Sequence, residues 1–230
     1  MTEEIPNNFP PKPPRHCQCD PNCPDPPLPK YPFCKKHKNC PIRSPLSGYE
    51  PPYNPEEYNN NKYIRHSHNC YAYSMNVKDK KKIKECQERN KCGFHVPGKK
   101  EGHSNFKGNL GKTCSDIVMR TMADIPKAYL TDFSTQCQPG FSKIFALADE
   151  KNDLHYGRQD KSKTNGFSHK PGGRAVTDKD SEGSLIIRPD LATWHYPPET
   201  KNDTGLYYKF CNYMCVPRDK EPQLLGGFKP

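Results

Sequence analysis

The sequence predicts an α+β domain, with helices first and an antiparallel sheet after them, behind an irregular arm rich in proline and cysteine. Of the 26 prolines, 16 lie in the first 55 of the 230 residues. Proline removes amide donors and restricts its neighbours, so this segment is not expected to form regular structure. From about residue 62, helical periodicity appears and strand-like apolar runs follow it. We therefore divide the chain into an arm (1–61), a main domain (62–218) and a C-terminal tail (219–230).

The charge balance is basic, with 36 Lys and Arg against 26 Asp and Glu and a formal net charge of +10. The densest basic run, residues 78–84, contains no aromatic residue. Interleaved aromatic and basic residues are typical of nucleic-acid surfaces, so a solvated lysine-rich face is favoured over nucleic-acid binding. A zinc-dependent nucleic-acid binder is therefore the least favoured function.

The sequence favours a protein of the cytoplasm or of a virus particle. It contains no apolar run near the roughly 18 residues that cross a bilayer. The first eight residues, Met-Thr-Glu-Glu-Ile-Pro-Asn-Asn, have neither the basic start nor the apolar stretch of a secretory signal peptide. Because disulfides are rare inside cells, the 12 cysteines favour metal or catalytic roles, unless the protein reaches an oxidising destination.

Zinc-ligand side chains are concentrated in the arm, where six fall within 24 residues: Cys17, Cys19, Cys23, Cys34, His37 and Cys40. Thiolate and imidazole are preferred zinc ligands, and four of them form a closed structural site. We expect a zinc site formed by Cys23, Cys34, His37 and Cys40, with Cys19 as an alternative to Cys23. The competing interpretation is a flexible tail with free or disulfide-bonded cysteines.

Two helices are expected in the first half of the main domain. Asn69 is a good N-cap, which makes Cys70 the first residue of a helix over about 70–84. At that position free amides and the helix dipole favour a thiolate. A glycine- and lysine-rich loop should follow over 86–112, and a second helix over 115–123, where the apolar positions share one face.

The loop and the end of the domain hold further cysteines. Cys86, Cys92 and His95 lie in the loop and are a weaker candidate for a second metal site. Cys211 and Cys215 lie on the last expected strand, where we favour a place in the core over a disulfide or a metal.

Strands are expected over 142–148, 154–158, 167–170, 184–187 and 207–216. The turn Gln-Pro-Gly-Phe precedes the first of them. The second and third strands read as a hairpin, in which His155 and His169 would lie directly opposite each other. Opposed side chains on one face are about 5 Å apart at Cβ. That distance would let one imidazole orient the other.

This order of elements resembles the papain-like hydrolases of the NlpC and CHAP (cysteine/histidine-dependent amidohydrolase/peptidase) kind. In that fold a cysteine begins a helix, and a Pro-Gly turn leads into strands that carry a histidine and a third polar residue. The chain matches these features over residues 65–190. The matching residues are Cys70 in Asn-Cys-Tyr-Ala-Tyr, Pro139-Gly140, His155 and His169. The resemblance implies a nucleophile at Cys70, a general base at His155 and an orienting residue at His169.

Other patterns are similar to those of largely uncharacterised proteins from bacteria and large DNA viruses. They are Asp-x-His-Tyr-x-Arg-Gln-Asp, Ser-His-Lys-Pro-Gly, Val-Thr-x-x-Asp, and a Cys-x2-His-x2-Cys run followed by Ser-Pro-Leu-Ser-Gly-Tyr-Glu-Pro. The resemblances together imply a thiol-dependent peptidase or amidase, packaged in a virus particle, that acts on a peptide or amide. The alternative is a non-enzymatic virion or scaffold protein that uses the arm and a papain-like domain for contacts with other proteins.

The implied mechanism begins with proton transfer from Cys70 to His155, which gives a thiolate–imidazolium pair. The thiolate attacks a carbonyl, and water or an amine resolves the thioester. His169 accepts a hydrogen bond from the second nitrogen of His155, and the Cys70 amide is an oxyanion donor, with a side chain of residues 66–69 as another. Cys114 also begins a helix and is a rival nucleophile.

Overall fold

The computed structural model describes residues 43–103, 106, 112–198 and 205–218. The helices are α1 (Glu56–Asn59), α2 (Lys62–Ser67), α3 (Cys70–Ser74), α4 (Lys80–Arg89) and α5 (Cys114–Asp124). The strands are β1 (Tyr129–Thr131), β2 (Phe141–Asp149), β3 (Asp153–Gln159), β4 (Phe167–His169), β5 (His195–Tyr196), β6 (Leu206–Tyr207) and β7 (Lys209–Pro217). The domain is therefore α+β, as the sequence predicts. The expected zinc ligands Cys23, Cys34, His37 and Cys40 lie outside the described residues.

A five-stranded antiparallel sheet in the order β1-β7-β2-β3-β4 forms the centre, and β5 pairs with β6 in a separate ribbon. Both faces of the sheet are covered. Residues 144, 146 and 148 of β2 pack under α3 and α5, whereas residues 145 and 147 face an aromatic layer that contains Trp194 and Tyr213. Two covered faces explain why β2 is apolar at consecutive positions.

The compact unit begins at Arg43, so residues 43–61, which belong to the expected arm, pack on the domain. The Nζ of Lys143 donates to Ser44 Oγ at 2.7 Å. Tyr58 is fully buried, with its ring 5.0 Å from that of Tyr73. No helix among the described residues has the length and apolar character to traverse a bilayer.

The expected helix over 70–84 is divided into α3 and α4. Asn76 adopts a left-handed conformation with φ of 57°, which ends the first helix. Asp79 then begins the second, because its carboxylate accepts hydrogen bonds from the amides of Lys81 and Lys82. The helix expected over 115–123 is α5. The strand expected over 184–187 is an isolated bridge, between Lys179 and Leu185, and β1 was not anticipated.

Disulfides join six of the seven cysteines among the described residues, which corrects the expectation that this chain disfavours them. The pairs are Cys86–Cys92, Cys114–Cys211 and Cys137–Cys215. The weaker metal site at Cys86, Cys92 and His95 is therefore wrong, because two of its thiols are bonded to each other. Cys215 is buried in the core and Cys211 packs against it, as favoured, but both are also disulfide-bonded. Cys114, the rival nucleophile, has no free thiol.

Gly157 lies in the middle of β3, opposite His169 of β4. A Cβ at this position would overlap the ring of Phe145 and lie 2.6 Å from the carbonyl oxygen of Ser168. The missing side chain therefore lets an aromatic ring of β2 pack against the strand that carries His155.

We expect Gly157→Ala to lower the free energy of unfolding by about 1–3 kcal/mol, because overpacking must displace Phe145 or the β4 backbone. Gly93→Ala is the matched control, since a Cβ there meets no atom closer than the Lys82 Nζ at 3.8 Å. Urea denaturation of both variants measures the difference. Equal stability of Gly157→Ala and the parent protein would contradict this account of the packing.

Candidate active site

Asn69 and Cys70 form the entry to α3, as the sequence predicts. The Asn69 side-chain oxygen accepts a hydrogen bond from the Ala72 amide at 3.3 Å, and Cys70 is the first helical residue. The side-chain amide of Asn69 also donates to the backbone oxygen of His95 at 2.8 Å. One residue therefore caps the helix and holds the loop beside it.

The two histidines of the expected hairpin contact each other, although not as a directly opposed pair. In the register of β3 and β4, Gly157 is opposite His169, so His155 lies two positions further along. Positions 155 and 157 share one face of the strand, so both rings still project to the same side. His155 Nε2 lies 2.7 Å from His169 Nδ1, and the rings are nearly perpendicular at 88°.

Hydrogen bonds give this pair a definite proton arrangement. His169 Nε2 lies 2.9 Å from the backbone oxygen of Lys179, which can only accept, so His169 carries its proton on Nε2. His169 Nδ1 is then an acceptor, and the proton between the rings belongs to His155 Nε2. In the neutral pair, His155 Nδ1 is consequently unprotonated and able to take a proton.

Burial keeps both imidazoles neutral. Trp194 packs against them, with its ring 5.2 Å from that of His169 and 6.2 Å from that of His155. Tyr208 lies 5.5 Å from His155 by ring centroids. Desolvation, aided by the neighbouring histidine, holds the pKa of His155 well below its ordinary value. Desolvation likewise lowers the pKa of His169 to about 4, although the Lys179 carbonyl and Asp180 oppose it.

The electrostatics of Cys70 differ from the expected thiolate. Its side chain is buried, and its Sγ lies 4.0 Å from the Leu154 carbonyl oxygen at the edge of β3. Desolvation first and the Asp153 carboxylate second raise the pKa of the thiol to about 12. Helix α3 has only five residues, which limits the dipole that would stabilise a thiolate. The resting pair is therefore a neutral thiol and a neutral imidazole, not thiolate and imidazolium.

A cavity of about 570 Å³ brings Cys70 and His155 to one site. Its wall also includes Asp153, Tyr208 and His95. Among these described residues no hydrogen bond joins Cys70 to His155, because the sulfur is turned to the strand backbone.

Several residues of this site were not found from the sequence. Trp194 is the one tryptophan of the chain, a signal that could have marked it. Asp153 was not considered as a site residue, and its carboxylate accepts a hydrogen bond from the Tyr208 hydroxyl at 2.7 Å. His68, in the segment expected to supply an oxyanion donor, instead accepts from the Asp79 amide through Nε2 at 2.7 Å.

Among the described residues, no three His, Cys, Asp or Glu side chains are grouped so that they could hold a metal ion. Comparison of the chain with protein-family models, curated proteins and solved structures found no match.

The buried histidines should make the protein less stable in acid. The unfolded chain takes up these protons near the ordinary histidine pKa of about 6.5, whereas folded His169 takes its proton only near pH 4. The unfolded state therefore binds more protons between these values, and the free energy of unfolding falls as the pH is lowered through that window. Denaturant titrations across this range measure the slope.

The matched variant is His169→Asn, which has no imidazole to titrate and should show a shallower pH dependence. A parent protein whose stability is constant from neutral pH to about pH 4.5 would contradict the assignment of neutral, buried histidines.

Proposed function

We propose that this chain is a thiol-dependent hydrolase, a peptidase or amidase, with Cys70 as nucleophile, His155 as general base and His169 as the residue that orients His155. The observation that carries the proposal is the hydrogen-bond chain from the Lys179 carbonyl through His169 to His155. It leaves His155 Nδ1 as a bare base on the wall of the cavity that Cys70 also lines. A nucleophile, a base and a group that orients the base are the parts that such catalysis needs.

The neutral resting state decides how the thiol would be activated. Cys70 and His155 line one cavity, so the thiol proton would leave the Leu154 carbonyl and pass to His155 Nδ1. The proton passes to the imidazole while the sulfur bonds to the substrate carbonyl carbon, and the imidazolium then donates it to the leaving amine. Cleavage of the carbon–nitrogen bond leaves a thioester on Cys70. The sequence of steps resembles serine-type general-base catalysis more than attack by a preformed thiolate.

The pairing of the other cysteines supports the assignment of the nucleophile. Among the described residues, Cys70 alone is a free thiol. This free cysteine lies on the same cavity wall as His155, whereas the other six described cysteines are disulfide-bonded. Three disulfides also fit an oxidising destination, such as the exterior of a cell or an assembled virus particle, better than a reducing cytosol.

The burial of Cys70 favours a second candidate function. Only 4% of the residue is exposed, and the sulfur faces the strand backbone. Buried cysteines of this kind commonly serve as inert packing. We therefore keep as the alternative a non-enzymatic virion or scaffold protein that presents this domain to other proteins.

We expect Cys70→Ala to abolish hydrolysis and His155→Gln to reduce the rate about 10²- to 10⁴-fold, because general-base catalysis contributes factors of that size. His169→Asn should cause a smaller loss, since the base remains but its orientation weakens. The measurement is cleavage of a mixture of unstructured peptides and peptide amides, followed by mass spectrometry.

His103→Gln is the matched control, because His103 is outside the residues that line the cavity. Circular dichroism and thermal unfolding verify that each variant is folded. Undiminished cleavage by Cys70→Ala would refute the enzyme and favour the scaffold protein. The scaffold protein would also be favoured if the parent protein cleaves no peptide and the Cys70→Ala variant assembles normally.

A further inference from the structure

A second histidine, His95, lies on the wall of the same cavity and is left with an unsatisfied nitrogen. The residue is 8% exposed, and its Nε2 is buried without a hydrogen-bond partner among the described residues. The nearest anionic group is Asp79, whose Oδ2 lies 3.7 Å from Nε2. Because Nε2 is buried beside the carboxylate, Nδ1 is the ring nitrogen that remains for a ligand in the cavity.

The position of His95 is held from two sides. The Asn69 side chain binds the His95 backbone oxygen at 2.8 Å, so the residue directly before Cys70 fixes this loop. From α4, the Lys82 ammonium contacts the backbone oxygens of Gly93 and Phe94 at 3.2 and 3.4 Å. These contacts tie the histidine to the helix entry that carries the candidate nucleophile.

The Asp79 carboxylate determines the proton arrangement of His95. A negative oxygen facing Nε2 favours the tautomer in which Nε2 carries the proton. The other ring nitrogen, Nδ1, is then a bare acceptor. Desolvation first and the Lys82 charge second lower the pKa of His95 to about 4, so the ring is neutral near pH 7. The cavity that Cys70 lines therefore also has on its wall a neutral imidazole with a carboxylate beside it.

We propose that His95, with Asp79 beside its Nε2, is the base that activates the hydrolytic water in the second half of the reaction. This proposal rests on the proposed function. The water oxygen bonds to the acyl carbon of the Cys70 thioester, and one water proton passes to His95 Nδ1. The carbon–sulfur bond breaks, the carboxylic acid leaves, and the proton returns to sulfur to restore the thiol. Acylation and deacylation would thereby use different histidines, His155 and His95.

The test separates the two halves of the reaction with p-nitrophenyl acetate as the acyl donor. The parent protein should release a burst of nitrophenol equivalent to one acetyl group on Cys70, located by peptide mass mapping, and then turn over. His95→Gln should keep the burst and lengthen the acetyl-enzyme lifetime about 100-fold, in line with the contribution of a general base. Asp79→Asn should lengthen it less, because an asparagine retains the helix cap but not the charge.

His103→Gln is again the control and should behave as the parent protein does. An unchanged acetyl-enzyme lifetime in His95→Gln, with Cys70 acetylated as in the parent protein, would overturn the role of His95 and leave the proposed function intact. A His95→Gln variant that loses the burst itself would also overturn it, since the histidine would then serve acylation. No acetylation of Cys70 in the parent protein would instead refute the proposed function.

Discussion

The buried guanidinium of Arg158 fixes α3 on the sheet, and both halves of the candidate site depend on that placement. Arg158 extends from β3 and pairs with Asp160 at 2.8 Å, with both side chains only 2% exposed. It also donates to the Tyr73 carbonyl at 3.1 Å and to the Asn76 side chain at 2.8 Å, at the end of α3. Removing one partner from a buried ion pair typically costs about 3–5 kcal/mol, because the other charge is left uncompensated.

The same network continues into β4 and orients the histidine there. Asp160 accepts a hydrogen bond from the Ser168 hydroxyl, which lies 2.6 Å from the Tyr73 hydroxyl. Because side chains alternate along a strand, fixing Ser168 toward α3 directs His169 to the opposite face, where His155 is. A polar cluster on one side of the sheet therefore determines the geometry of the imidazole pair on the other.

The sequence was sufficient for features that depend on local chemistry. Four such features are as expected: the cap at Asn69, the start of α3 at Cys70, the turn before β2, and the contact between His155 and His169. The features that it missed depend on distant partners. These features are the two-residue shift in the register of the hairpin, the division of the first helix at Asn76 and the pairing of the cysteines. They follow from tertiary contacts, which local propensity does not encode.

The neutral state of the site is also a tertiary property, and it changes the chemistry that the motif suggests. A cysteine at a helix start with a histidine in reach predicts an ion pair. Here the low-dielectric surroundings penalise each charge, since burial raises the pKa of Cys70 and lowers that of His155. Transferring the proton at rest would create two buried charges at once. The hydrogen-bond chain through His169 instead supplies a base that is unprotonated and held in place, so charge needs to appear only while the new bond to sulfur forms.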